Sequence, residues 1–156
     1  ADVIPQAMVD VNEALTNIKN LTIPKKLQKG TVLIAEDSKT AQNHLKIIFE
    51  KSNLNMRIFE NGKKLIDHIN SLTPESIAEI PAIVTDIEMP EMSGFTVVKL
   101  LKSNPITKNI PVIINSSMTG NNNKREAEVL GADAFIDKTK SHDIVPLIVD
   151  AMNAYE

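Results

Sequence analysis

The sequence contains no cysteine and no tryptophan, and its 156 residues include one tyrosine and four phenylalanines. Without cysteine there can be no disulfide and no thiolate metal site, which favours a reducing compartment and leads us to expect a cytoplasmic protein. Aromatic residues make up only 3%, which leaves no platform for stacking single-stranded bases. No block of Lys or Arg stands out, so the electrostatic footprint of a nucleic-acid binder is missing. No apolar run approaches the ~20 residues of a membrane-spanning helix, and no signal-peptide pattern opens the chain. Neither nucleic-acid binding nor membrane insertion is expected.

What is present is ordinary for one globular domain: 42% hydrophobic and 24% charged residues, with 17 basic against 20 acidic side chains. That excludes a disordered chain, a collagen-like chain and a coiled-coil rod. The core must be built from Ile, Leu, Val and Ala, with six methionines filling gaps. Whether the 20 acidic residues only solvate the surface, or a few of them form a site, is the question the pattern has to answer.

Five short apolar runs read as strands: Thr31–Ala35, Asn55–Phe59, Ala82–Thr85, Pro111–Asn115 and Asp133–Ile136. Three are nearly continuous in aliphatic residues, as in strands buried on both faces. Helical spacing lies between them, in Ala41/Leu45/Ile48, Leu65/Ile66/Ile69, Phe95/Val98/Leu101 widened by Val97 and Leu100, and Ile144/Leu147/Ile148/Ala151/Met152. Strand and helix alternating five times imply βαβ units, a parallel sheet and helices on both faces. Asp37-Ser38 and Ser93 stand where helix caps are wanted, and Asn61-Gly62 and Gly131 separate elements. Asn121–Asn123 open the helix after the fourth strand, which should therefore be short and loosely held.

Residues 1–30 fall outside the five units. Met8, Val11, Leu15 and Ile18 form one amphipathic stripe, and Thr22–Gly30 reads as a linker in which Pro24 stops any helix. A lone helix must bury its stripe on this domain, on an upstream domain or on a second copy. The expected division is 1–30 as helix and linker, a possible remnant of an upstream adaptor domain, and 31–156 as the main domain.

In open parallel sheets the functional crevice lies beyond the carboxyl ends of the strands. Here Glu36-Asp37 follow the first strand, Asp86 the third, Ser116-Ser117 the fourth and Lys138 the fifth. With strands one and three adjacent, three carboxylates converge. Their mutual repulsion is costly without compensation. Mg²⁺, a hard cation that takes carboxylate and phosphate oxygens, and the point charge of Lys138 are the compensators at hand. Carboxylates, Mg²⁺, a lysine and a hydroxyl form a toolkit for phosphoryl transfer, in which a carboxylate can be the nucleophile. Each residue alone has a structural explanation as a strand end, a cap or a surface charge. Their joint placement carries the argument.

On these residues the chain from about Thr31 to Met152 resembles a response-regulator receiver domain. The resemblance rests on the pair Glu36-Asp37, on Asp86 within TDIEMPEMSG, on Ser116 after PVIIN and on Lys138 after GADAFID. The gaps are also similar: 49 residues from Asp37 to Asp86, 30 on to Ser116 and 22 on to Lys138. It implies a flavodoxin-like, doubly wound (βα)₅ fold, α/β in class, with a parallel five-stranded sheet in the order 2-1-3-4-5 and here an extra N-terminal helix. It implies that Asp86 is the phosphoacceptor, and that Glu36, Asp37, Asp86 and the backbone carbonyl of Glu88 hold Mg²⁺. Lys138 then pairs with phosphoryl oxygens, while Ser116 and Phe135 form the switch. Glu88, Met118 and Ser117 flank the site as modulators. Such a domain is a signalling phosphoacceptor rather than a multiple-turnover enzyme.

Two departures stand out. Thr139 follows Lys138 where the family usually has proline, which leaves that peptide trans or strained, and Ser93 replaces a common Asp. The block DIEMPEM, Ser116-Ser117 after the fourth strand, Lys138 without a following proline, and a preceding helix with a basic linker resemble the receiver half of a CheV-type chemotaxis coupling protein, whose partners are a CheA-type histidine kinase and, through an adaptor domain, a chemoreceptor array. The alternatives are a stand-alone or differently fused response regulator outside chemotaxis, and a phosphohydrolase of the haloacid-dehalogenase type. In the latter the nucleophile lies on the first strand and the acidic pair comes last, whereas here the pair comes first. A flavin carrier is disfavoured because Glu36–Ala41 is anionic and lacks glycine.

Overall fold

Five parallel strands form the centre of the molecule in a computed structural model that describes residues 6–155. They are β1 (Thr31–Ala35), β2 (Asn55–Phe59), β3 (Ile83–Thr85), β4 (Val112–Ser116) and β5 (Ala134–Asp137). Their order is β2-β1-β3-β4-β5, the order expected. The last three strands begin one residue later than the apolar runs. Proline at 111 has no N–H to give a ladder, and its carbonyl instead accepts from the Ile83 N–H at 2.9 Å. At the other end β4 takes in Ser116 and β5 takes in Asp137, and these two are register partners.

Alternation along the strands sends side chains to two cores. Val32, Ile34, Val84 and Ile113 pack under α3 (Lys39–Lys51) and α8 (Ile144–Asn153), through Leu45, Ile48, Phe49, Ile144 and Ile148. Leu33, Ala35, Ile83 and Ile114 pack under α4 (Gly62–Asn70) and α6 (Gly94–Ser103), through Leu65, Ile69, Val97, Val98 and Leu101. Each Val, Leu, Ile or Phe among them, fully buried, contributes about 1.5–3 kcal/mol. Leu100, expected to widen the α6 stripe, is exposed, because the buried face runs through Val97, Val98 and Leu101 and leaves it one position outside. A short helix, α5 (Pro74–Ala78), was not anticipated. Thr73 caps it, and it buries Ile77.

The N-terminal segment docks on this domain. Its first five residues, like Glu156, lie outside the described residues. Helix α1 (Gln6–Ile18) buries Val11 in the core shared with α3 and α8, with Leu15 and Ile18 packed against it. The expected linker differs. Pro24 does not stop a helix but starts one, α2 (Lys25–Lys29), because its fixed φ suits a helix entry and its carbonyl accepts from the Leu27 and Gln28 N–H groups. Leu27 is 0% exposed.

Helix α7 (Asn121–Leu130) has ten residues, as does α6, so it is not short. Gly120 gives it no side-chain cap, and Ala127 is its buried residue. Gly131, at φ 100°, ends it in the left-handed region that favours glycine. A 3₁₀ turn, Lys138–Asp143, joins β5 to α8. Among the described residues no helix is long and apolar enough to cross a membrane.

Candidate functional site

The three carboxylates named from the sequence come together. Glu36, Asp37 and Asp86 each offer an oxygen, and these oxygens lie within 4.8 Å of one another. The cause is the adjacency of β1 and β3. Glu36 extends the line of β1, its N–H donating to the Phe59 carbonyl at 2.9 Å. Asp86 does the same for β3, its N–H donating to the Ala35 carbonyl at 3.0 Å. Glu36 and Asp86 are buried, while Asp37 faces solvent.

Local contacts fix each acid. Ser38 caps α3, its Oγ accepting from the Ala41 N–H, and its own N–H donates to Glu36 Oε2 at 3.1 Å. Buried Gln42 donates from Nε2 to the Glu36 carbonyl at 2.6 Å. Asp86 Oδ1 accepts from the Ile87 N–H at 2.7 Å. Gly94, the first residue of α6, lies so close that a Cβ there would fall 1.8 Å from the Asp86 carbonyl oxygen. Gly94 therefore brings the start of α6, capped by Ser93 Oγ, against the Asp86 backbone.

Lys138 bridges the acids. Its Nζ lies 2.8 Å from Glu36 Oε1 and 2.9 Å from Asp86 Oδ2. Burial pushes the Glu36 carboxyl above the usual range; the Lys138 and Ser38 hydrogen bonds oppose this, and the Asp86 charge adds to it. For Lys138, burial works downward, but the hydrogen bonds to Glu36 and Asp86 and their charges outweigh it and leave the ammonium above its ordinary value. The lysine is held as a cation, and the buried Glu36 is costly to ionise beside a second acid.

The carboxylate cluster suits a hard divalent cation, which takes oxygen donors of this kind. Glu88 is exposed, and its side chain is outside the cluster.

A family model described as the response regulator receiver domain matches residues 32–149. The chain belongs to the response-regulator receiver family. It is 41% identical over 123 residues to chemotaxis protein CheV1 of Helicobacter pylori, covering 79% of this chain and 38% of that protein. It is 35% identical over 144 residues to CheV2 of the same organism, covering 90% and 45%. The chain thus spans less than half the length of these two relatives. Among solved structures, it superposes on the receiver domain of a signal transduction histidine kinase from Syntrophus aciditrophicus with TM-score 0.67 at 28% identity, covering 80% and 90%. A Francisella response-regulator receiver domain gives 0.69 at 26%, covering 82% and 100%.

Ser116, Ser117, Met118 and Phe135 lie at the end of β4, in the loop after it and on β5. Ser116 is fully buried at the end of β4, and its Oγ accepts from the Met118 N–H at 3.0 Å. Met118 is half-buried and Ser117 exposed. Phe135 is half-buried on β5, with Lys124 Nζ 6.0 Å from its ring centroid. The two line a cleft of about 510 Å³ between α7 and β5. The Lys138–Thr139 peptide is trans, as are all peptides among the described residues.

Gln42 is missed by sequence reasoning, which sees Gly94 only as the end of the TDIEMPEMSG block. Gln42 was detectable as a polar residue three positions before Leu45 on the inward stripe of α3. The close approach of Gly94 to the Asp86 backbone has no signal of its own in the sequence, because it depends on where β3 ends.

Proposed function

We propose that this receiver accepts a phosphoryl group on Asp86 from a histidine kinase in a Mg²⁺-dependent reaction, and that the modified domain presents a changed interaction surface. The arrangement that supports this best is Lys138 Nζ placed between Glu36 and Asp86, with Asp37 at the rim. Glu36, Asp37, Asp86 and the Glu88 carbonyl would hold the cation, which supplies charge neutralisation between the carboxylates and the incoming phosphoryl oxygens. An Asp86 carboxylate oxygen forms the new bond to phosphorus as the bond to the donor's leaving group breaks. The Lys138 ammonium, already hydrogen-bonded to Asp86, turns to an oxygen of the acyl phosphate. The modification adds roughly −1.5 to −2 charge and three acceptor oxygens. Ser116, whose Oγ accepts from Met118, has its own proton to donate to one of them, drawing the β4–α7 loop inward. Phe135 and thinly anchored α7 are the parts that respond. Ser117 admits the group beside Ser116, and Glu88 and Met118 at the rim tune access of the hydrolytic water. The domain turns over no separate substrate.

The relatives favour a chemotaxis role. On this reading the domain is the receiver half of a CheV-type coupling protein in the cytoplasm, phosphorylated by a CheA-type kinase and joined through an upstream adaptor domain to a chemoreceptor array. Residues 1–30 would then connect the two parts, with 31–156 as the receiver. The test is transfer of labelled phosphate from an autophosphorylated CheA-type kinase. Mg²⁺-dependent transfer to the wild-type chain and none to Asp86→Asn is expected. Transfer that survives Asp86→Asn contradicts the assignment.

A further inference from the structure

Asn115 interrupts an otherwise apolar run. Strand β4 reads Val112-Ile113-Ile114-Asn115-Ser116, and all five residues are buried. Alternate residues of a strand share a face, so Asn115 lies on the side of Ile113, which packs with Ile34, Val84 and Ile148. An amide in such surroundings is costly unless it is hydrogen-bonded. Its partner is Ser141, in the 3₁₀ turn that starts at Lys138. Ser141 Oγ lies 2.9 Å from Asn115 Oδ1 and 2.9 Å from the Lys138 carbonyl oxygen, its one proton shared between them. The link is dry: Asn115 is 2% and Ser141 3% exposed.

The other side of Lys138 is held as well. Asp137 is the register partner of Ser116, and its Oδ1 accepts from both the Thr139 N–H and the Thr139 hydroxyl at 2.9 Å. Thr139 fixes no φ as a proline would. The backbone of Lys138 is instead set by hydrogen bonds before and after it. This matters because a lysine stem has several rotatable bonds, and the protein can hold its ammonium in place only by holding its backbone and lining its path.

We propose that Asn115 and Ser141 are positioning residues for Lys138. The pair ties the Lys138 carbonyl to the end of β4 and so keeps the ammonium at Glu36 and Asp86. Because Asn115 precedes Ser116, the same strand end then sets both the lysine and the hydroxyl that face a phosphoryl group. An Ile at 115 would suit the apolar face but would leave the 3₁₀ turn without this anchor. The inference rests on the reading of Asp86 as phosphoacceptor.

The test compares Asn115→Ala, Ser141→Ala and the double variant, each with Lys138 present and in a Lys138→Ala background, in the 156-residue chain. Melting temperature and the rate of phosphorylation by acetyl phosphate at fixed Mg²⁺ are measured for all, the rate by intact mass. With Lys138 present, each single variant should slow the reaction roughly tenfold, since small misplacements of a reacting group cost one to two orders of magnitude. The double variant should be no slower than either single, because both remove one bond. In the Lys138→Ala background the same changes should have no further effect, which a general loss of stability would not reproduce. Unslowed single variants, or equal slowing without Lys138, would overturn the proposal. If Asn115→Ala does not fold, Ser141→Ala, which removes one oxygen atom, decides alone. A wild-type chain that takes no phosphoryl group at Asp86 overturns the reading of the site and this proposal with it. A wild-type chain that is labelled there, with unslowed variants, overturns this proposal alone.

Discussion

Lys138 Nζ lies 2.9 Å from Asp86 Oδ2 while also touching Glu36, so one ammonium is shared by two buried acids. Removing one partner of a buried ion pair leaves the other charges uncompensated, and here two carboxylates would face each other without a cation.

Lys138→Ala should therefore destabilise the metal-free domain by about 1–3 kcal/mol, a discounted figure because the lysine is partly solvated. Saturating Mg²⁺ should recover much of this, since a divalent cation binds only the assembled carboxylates. At 100 times its dissociation constant such a ligand stabilises by about 2.7 kcal/mol. Melting curves with and without Mg²⁺ check this, and a melting temperature of the wild-type chain unmoved by Mg²⁺ counts against the carboxylate site.

Gly94→Ala should damage the fold and the site together. The added Cβ would meet the Asp86 carbonyl oxygen at 1.8 Å, a clash with backbone that no rotamer relieves. A loss of about 2–3 kcal/mol or more is expected, with weakened Mg²⁺ binding in any folded fraction. Unaltered urea unfolding would show that α6 can retreat from Asp86.

Leu27→Ala tests whether residues 1–30 belong to the core. Leu27 is 0% exposed and joins Val32, Ile34 and Ile148 in one cluster, so truncation should cost about 2–4 kcal/mol. A change under 0.5 kcal/mol in chemical denaturation would mean that the segment is the solvated linker its lysines suggested.

The five strand–helix units and the placing of Glu36, Asp37, Asp86 and Lys138 at strand ends were legible from local pattern plus one topological rule, whereas the order of the strands, which brings the three carboxylates together, rested on the resemblance. Strand ends in a parallel sheet share an edge, whatever the loops do. Leu27 was misread because Pro24 stops a helix and starts one equally well, and only the apolar gap beneath α2 decides between the two. Asn115 and Ser141 were not singled out for a similar reason. A buried polar side chain looks like any other polar residue until its partner, from a distant part of the chain, is known.

Tyr155 provides a pH test on a clean probe, because it is the sole tyrosine and tryptophan is absent. Partial desolvation of the phenol, then the hydrogen bond to Asp133 Oδ1 at 2.6 Å and the charge of that carboxylate, raise it above the ordinary value of 10.0, although the residue as a whole is exposed. The neutral phenol is favoured in the folded state, so this contribution to stability is present below pH 10.0 and is lost as pH rises through the higher folded value. The ultraviolet phenolate band should be absent at pH 10 from the folded chain and present in urea, and Asp133→Asn should move the folded titration downward. Half-ionisation of the folded wild-type chain at pH 10 would contradict the network.

Asp86 is the one carboxylate proposed to take the phosphoryl group. The direct measurement is intact-mass analysis after incubation with acetyl phosphate and Mg²⁺, followed by borohydride reduction and peptide mapping. One Mg²⁺-dependent, base-labile phosphoryl group on Asp86, absent from Asp86→Asn and from samples with chelator, is the result expected. A stable adduct elsewhere, or equal labelling of Asp86→Asn, would contradict it.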